Sequence, residues 1–256
     1  MHFKLIACEV LTREVCHIVA RAPYPVDLEF TPKDAHEDSK QLRRMIKDRI
    51  RRAEDAGRAY DAILLGYGLC GNATAGLAAI RTKLVIPRAH DCCTLFLGSK
   101  ERFKMYFLQN PSLAFSSTGY CERGDSFLRE TGSKRVLEFD KRYEEYVKKY
   151  GEENARYLWE TLHPPHLKET DRVIFIDIPE TSGPGYGAKC RQKAVAEGRE
   201  YMELKGDISL LARLIHGDWD PEDFLIVEPG EEITGVYDWD EIIRVRRRSE
   251  QKKEEP

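Results

Sequence analysis

The chain has 256 residues, enough for one large α/β domain or two small lobes and too many for a disulfide-stapled mini-protein. Apolar residues make up 41% and charged ones 33%, with a mean hydropathy of −0.54, which excludes a membrane-embedded or disordered composition. Lys plus Arg number 41 against 44 Asp plus Glu, and the net charge of −3 gives no overall electrostatic reason to bind nucleic acid or an anionic membrane.

The first residues, Met-His-Phe-Lys-Leu-Ile-Ala-Cys, run directly into a strand-like apolar segment without the basic start, long apolar stretch or small-residue cleavage site of a signal peptide. No window approaches the ~18 apolar residues that span a bilayer. The expected location is cytoplasmic, where thiols stay reduced. Seven cysteines in such a chain raise metal, redox or catalytic use against plain burial.

Strand-length apolar runs are predicted at Phe3 to Cys8, Ala62 to Leu65, Lys83 to Pro87, Leu113 to Ser116, Val173 to Ile178 and Phe224 to Val227. Helices are predicted at Glu37 to Ala56, Asn72 to Ile80, Cys92 to Leu108, Arg142 to Leu162, Ala188 to Tyr201 and Ile208 to His216. Continuous apolar strands alternating with helices indicate an α/β fold: a doubly wound, largely parallel, Rossmann-like sheet with two related lobes around a cleft. The segmentation expected is a Rossmann-like lobe with Cys-rich strand-end loops (1–140), a helical crossover (141–168) stopped by His163-Pro164-Pro165-His166, a second α/β lobe (169–243) and a charged flexible tail (244–256). A short echo links the halves: Gly66-Tyr67-Gly68 before Cys70, and Gly185-Tyr186-Gly187 before Cys190.

In a parallel sheet the loops after successive strands open on one edge, where ligands bind. Cys8 ends the first predicted strand, Cys70 follows the second, and Cys92 with Cys93 follows the third, so thiols far apart in sequence converge. A three-thiolate set suits an iron–sulfur cluster with one open iron, or zinc completed by His90, Glu9 or water. Buried structural cysteine is the plain alternative. Consecutive helical residues point about 100° apart, so one of Cys92 and Cys93 faces the site. Cys16, Cys121 and Cys190 read as structural.

Gly66-Tyr67-Gly68-Leu69-Cys70-Gly71 matches the G-x-G-x-x-G dinucleotide pattern in form, but it follows the second strand and opens only a short segment. A nucleotide cofactor is therefore the alternative, and Gly66, Gly68, Gly71 and Asn72 are read as a loop whose backbone approaches a ligand closely. In Pro87-Arg88-Ala89-His90-Asp91-Cys92-Cys93, Asp91 is placed to cap the following helix, and a thiol in that first turn is expected to have a lowered pKa. His90 is a candidate ligand or general acid–base, Arg88 a fork for an anionic small-molecule substrate, and Glu9 a further candidate catalytic group. Asp34-Ala35-His36 begins like a corrinoid-ligand motif, but Ser39 stands where glycine is needed, so direct corrinoid ligation is not expected. The loop Ser182 to Gly187 reads as a lid or a connection.

The blocks Gly66-Tyr67-Gly68-Leu69-Cys70-Gly71-Asn72 and Pro87-Arg88-Ala89-His90-Asp91-Cys92 resemble a family known as domain of unknown function 1638, over about Lys4 to beyond Val227. Its members occur in anaerobic bacteria and archaea, often encoded near corrinoid-dependent methyltransferases. The resemblance implies a site at Cys8, Cys70, His90 and Cys92, and corrinoid methyltransferase proteins as partners, but no activity. Three functions follow as expectations: a metal-binding protein serving methyl-transfer metabolism, a nucleotide-cofactor enzyme, or a non-enzymatic accessory of a methyltransferase system. Whether the chain is an enzyme stays open.

Overall fold

The structure, a computed structural model, describes residues 1–108, 113–124, 147, 148, 152, 172–183, 185–236 and 238–247. In chain order the strands are β1 (Phe3–Cys8), β2 (Val26–Thr31), β3 (Ala62–Gly66), β4 (Leu84–Pro87), β5 (Ala114–Ser117), β6 (Arg172–Asp177), β7 (Glu200–Lys205), β8 (Phe224–Val227), β9 (Glu231–Gly235) and β10 (Ile243–Arg247). The helices are α1 (Thr12–Val19), α2 (Ser39–Asp55), α3 (Cys92–Leu97), α4 (Lys100–Phe107), α5 (Thr118–Glu122), α6 (Tyr186–Ala196) and α7 (Ser209–His216).

The central sheet has the order β2-β1-β3-β4-β8, parallel except for β8, which runs antiparallel to β4. A second sheet, β5-β6-β7, is parallel, and β9 and β10 form an antiparallel pair. Every residue of β3 and β4 is buried, which explains their unbroken apolar sequences. On α2 the buried residues Leu42, Ile46, Ile50 and Ala53 recur at helical spacing, and the helix packs on β1 and β2. The apolar helix α7 packs on β3 and β4.

The two sheets share one buried cluster, which joins Leu5, Leu64 and Ile86 of the first to Phe115, Ile174 and Ile176 of the second. A smaller cluster lies under α6, at Ala114, Val173, Phe175, Cys190 and Ala194. Segmentation at 140 and 169 therefore does not separate the sheets. β5 belongs with β6 and β7, and β8 returns to the edge of β4. The predicted crossover 141–168, apart from residues 147, 148 and 152, lies outside the described residues.

Several predicted elements change form for identifiable reasons. The segment Asn72 to Ile80 is not a helix, because its backbone groups bond β9: Gly76 N–H donates to Ile233 O at 2.7 Å and Ala79 N–H to Glu231 O at 3.1 Å. The helix predicted over Cys92 to Leu108 breaks at Gly98, whose φ of +79° ends α3, and Ser99 then caps α4 by accepting from Arg102 N–H. The residues predicted to begin a flexible tail at Arg244 instead form β10, with Arg246 paired to Glu232. Gly185 opens α6 at a φ of +78°, whereas Gly66 ends a strand, so the two Gly-Tyr-Gly segments differ in conformation.

The second sheet reaches the first through α5. A Cβ at Gly119 would lie 1.8 Å from the carbonyl oxygen of Val10, so only glycine lets α5 sit on the turn that follows β1. Beside it, Gly183 N–H donates to Thr118 Oγ1 at 3.2 Å, and Thr181 Oγ1 donates to the buried Glu14 carboxylate of α1 at 2.5 Å. Gly119→Ala forces these elements apart and is expected to destabilise the chain by about 3 kcal/mol. Urea denaturation measures this, and a loss below about 0.5 kcal/mol would show that α5 does not depend on the contact.

Candidate functional site

The carboxyl ends of four parallel strands deliver the site. Cys8 closes β1, Thr31 closes β2 in register with it, Tyr67 and Cys70 follow β3, and Asp91 and Cys92 follow β4. From the second sheet, Tyr120 arrives on α5 directly after β5. Cys8, Cys92, Tyr67 and Tyr120 are buried, and Cys70 is partly so.

The loop after β3 is held against the loop after β4. Leu69 N–H donates to Ala89 O and Cys70 N–H to His90 O, each at 2.8 Å, and Thr74 Oγ1 donates to Gly68 O. A Cβ at Gly68 would come within 2.6 Å of both Ala89 O and Asp91 N, and one at Gly66 within 2.7 Å of the Ala7 Cβ. These glycines serve contact between strand ends. The Leu69 and Cys70 N–H groups of this loop are engaged within the protein. Beyond it the chain adopts left-handed backbone at Cys70 (φ +48°), Gly71 (φ +62°) and Asn72 (φ +67°), and the Asn72 carbonyl accepts from Arg43 at 2.5 Å. Two non-glycine residues in this geometry, Cys70 and Asn72 on either side of Gly71, mark local strain.

The cysteines sense one another electrostatically. Burial pushes the Cys8 thiol up to about 11, with the Glu9 charge adding to the rise. Burial raises Cys70, reinforced by the Asp91 carboxylate and by Cys8. Burial also raises Cys92 well above the usual thiol range, with Asp91, Cys70 and Cys8 adding to it. The sequence-based expectation of a lowered pKa at the start of α3 is thus reversed. Asp91 does cap the helix, accepting from Cys93 N–H at 3.0 Å, but its charge and the burial outweigh a six-residue helix. Of the two neighbouring cysteines, Cys92 is coupled to Cys8 and Cys70, and its Sγ lies 2.6 Å from the Tyr120 hydroxyl. Cys93 is fully buried on the same helix.

Two phenols and a histidine extend the site. Tyr120 is raised by burial and then by Cys92 and Cys8, and Tyr67 by burial and then by Cys8 and Cys70, opposed by its 2.8 Å bond to Thr31 Oγ1. The His36 ring lies 6.4 Å from Tyr67, and burial lowers its pKa to about 4, so it is neutral at physiological pH. Its buried Nε2 has no hydrogen-bond partner among the described residues.

Other predicted residues do different work. Arg88 donates to the carbonyls of Pro221 (2.9 Å), Glu241 (3.0 Å) and Ile243, so its fork ties β4 to the β10 side. His90 packs between Phe103 and Trp239, at ring distances of 5.2 and 4.7 Å, and burial lowers its pKa. Glu9 accepts from Lys33 N–H at 2.8 Å and pairs with Arg123 at 3.3 Å. The loop after β6 is anchored to Thr118 through Gly183. Tyr67, Thr31 and Tyr120 were not singled out by the sequence, although Ser117-Thr118-Gly119-Tyr120 follows a predicted strand just as the Gly-Tyr-Gly block does. Among the described residues no group of three or more His, Cys, Asp or Glu side chains stands arranged as metal ligands. No helix among them is long and apolar enough to cross a membrane.

The class defined by this geometry is a mixed α/β protein whose mostly parallel central sheet ends on a buried cluster of thiols and phenols. A family model described as protein of unknown function (DUF1638) matches residues 30–215, and the chain belongs to that family. The match contains Cys70, His90, Cys92 and Tyr120 but begins after Cys8, so it is narrower than the sequence blocks suggested. No curated protein and no solved structure matches the chain.

The raised thiols have a consequence for stability. Folded Cys8 keeps its proton to about pH 11, whereas the unfolded thiol loses it near 9.0. Its contribution is therefore complete below pH 9 and is lost as the pH rises through 11. Between about pH 8.5 and 11 the wild type should lose roughly 2–3 kcal/mol more stability than Cys8→Ala. Equal losses in denaturation at the two pH values would show that the Cys8 thiol is not neutral in the folded chain.

Proposed function

We propose that the chain is a metal-binding protein holding an iron–sulfur cluster, with zinc as the alternative metal, on Cys8, Cys70 and Cys92. The observation that carries this reading is the placement of these thiols at or just after the carboxyl ends of the neighbouring parallel strands β1, β3 and β4. The donor set fits a soft metal. The thiols are neutral in the folded chain, so metal binding there would release their protons. Tyr120, hydrogen-bonded to Cys92, would orient that sulfur toward the metal. A metal held by Cys8, Cys70 and Cys92 would supply Lewis-acid or electron-transfer chemistry toward a sulfur- or oxygen-containing small molecule. The finer fold reading belongs to the same proposal: a doubly wound sheet and a second related lobe meeting at this cluster. Service to corrinoid-dependent methyl transfer rests on the family resemblance alone.

The test is anaerobic isolation and reconstitution with iron and sulfide, or with zinc, followed by metal analysis and visible absorption. The expected result is a bound centre in the wild type and metal retention lowered more than about tenfold in Cys70→Ala and Cys92→Ala. A wild type that stays metal-free after reconstitution, or variants that retain as much metal as it does, overturns the reading.

A further inference from the structure

Two cysteines read as structural stand together on the helices beside the second sheet. Cys121 on α5 and Cys190 on α6 are 69 positions apart, yet their sulfurs lie 3.6 Å from each other. Cys190 is buried and Cys121 half-buried, with Ser116 Oγ 3.5 Å from the Cys121 sulfur. We propose that Cys121 and Cys190 are a redox-active dithiol that closes reversibly to a disulfide linking α5 to α6.

Contact distance between the sulfurs leaves a short closure to the ~2 Å bond of a disulfide, and α5 and α6 already pack against each other. The oxidant named by this chemistry is a small-molecule disulfide such as oxidised glutathione. Cys121, the more exposed sulfur, attacks it as the thiolate. One S–S bond breaks, a mixed disulfide forms, and the first glutathione leaves, taking up the Cys121 proton. Cys190 then attacks the Cys121 sulfur, the mixed bond breaks, and the second glutathione leaves with the Cys190 proton. Two electrons pass from the protein thiols to the small disulfide, which ends as two thiols. Burial and the hydrogen bond to Cys121 hold Cys190 in its protonated form, which suits the order of attack.

The bond would act on the neighbouring residue. Tyr120, next to Cys121 on the same short helix, hydrogen-bonds Cys92, so tying α5 to α6 fixes the phenol against the central sheet. The dithiol itself does not depend on a metal at Cys8, Cys70 and Cys92.

The full chain is incubated with oxidised glutathione without other reductant, alkylated, and analysed by intact mass and peptide mapping. The expected product has lost the mass of two hydrogens and yields a linked Cys121–Cys190 peptide pair that dithiothreitol separates. Cys190→Ser should stop at one glutathione on Cys121, and Cys121→Ser should form no internal bond. Linkage of other cysteines, glutathione adducts alone on the wild type, or no reaction at Cys121 overturns the proposal.

Discussion

The site depends on the contact between two strand-end loops. Gly68 brings the backbone after β3 onto Ala89 and Asp91 at a distance that no side chain allows, and the two N–H bonds from Leu69 and Cys70 hold it there. With its N–H committed, Cys70 turns into left-handed backbone, and its sulfur comes into the field of Cys92 and Cys8. A strand end one register step away would send Cys70 elsewhere, because successive side chains alternate across the sheet. The parallel pairing of β1 with both β2 and β3 supplies the rest, setting Cys8 beside Thr31 and just past the Ala7–Gly66 pair that leads into Tyr67.

What fills that edge is chemically unusual for an interior. Thiols and phenols are neutral when protonated, so a cluster of them can be buried without the solvation penalty of charge, and the same burial keeps the protons on. Asp91 is the source of negative charge acting on Cys70, Cys92 and Tyr120 alike, and it opposes ionisation of each. The sulfurs of Cys8, Cys70 and Cys92 are thereby held neutral in the folded chain. A helix N-terminus alone, as read from Asp91-Cys92-Cys93, would have produced a reactive thiolate instead.

Much of this was legible from residue order. The apolar runs at β1, β3, β4, β6 and β8 announce themselves because they are buried on both faces, and the placement of Cys8, Cys70 and Cys92 at strand ends then follows from parallel geometry. β2 (VDLEFT) and β7 (EYMELK) were not readable, since they alternate charge with apolar residues and are only partly buried. The return of β8 to β4 and of Ala78 to Glu232 joins residues far apart in the chain, which periodicity cannot register. The partners of Arg88 were hidden for a related reason: the carbonyls it donates to lie 133 to 155 positions away. The direction of the Cys92 shift needs burial from α5 as well as the local cap, and only the folded chain supplies that.

The short helix α5 ties these threads into one argument. Gly119 seats it on the turn after β1, Tyr120 faces Cys92 of the central sheet, and Cys121 faces Cys190 beneath α6. Three consecutive residues thus contact three separate parts of the chain, and a run of aromatic rings through Phe115, Phe107 and Phe103 continues from Tyr120 to His90. Such a helix has little freedom to move by itself, because displacing it opens a glycine contact, a thiol–phenol bond and an aromatic stack together. Any change in the chemical state of Cys121 is consequently felt first at Tyr120, and any change in the charge of the Cys92 sulfur is felt first by the helix that carries Cys121.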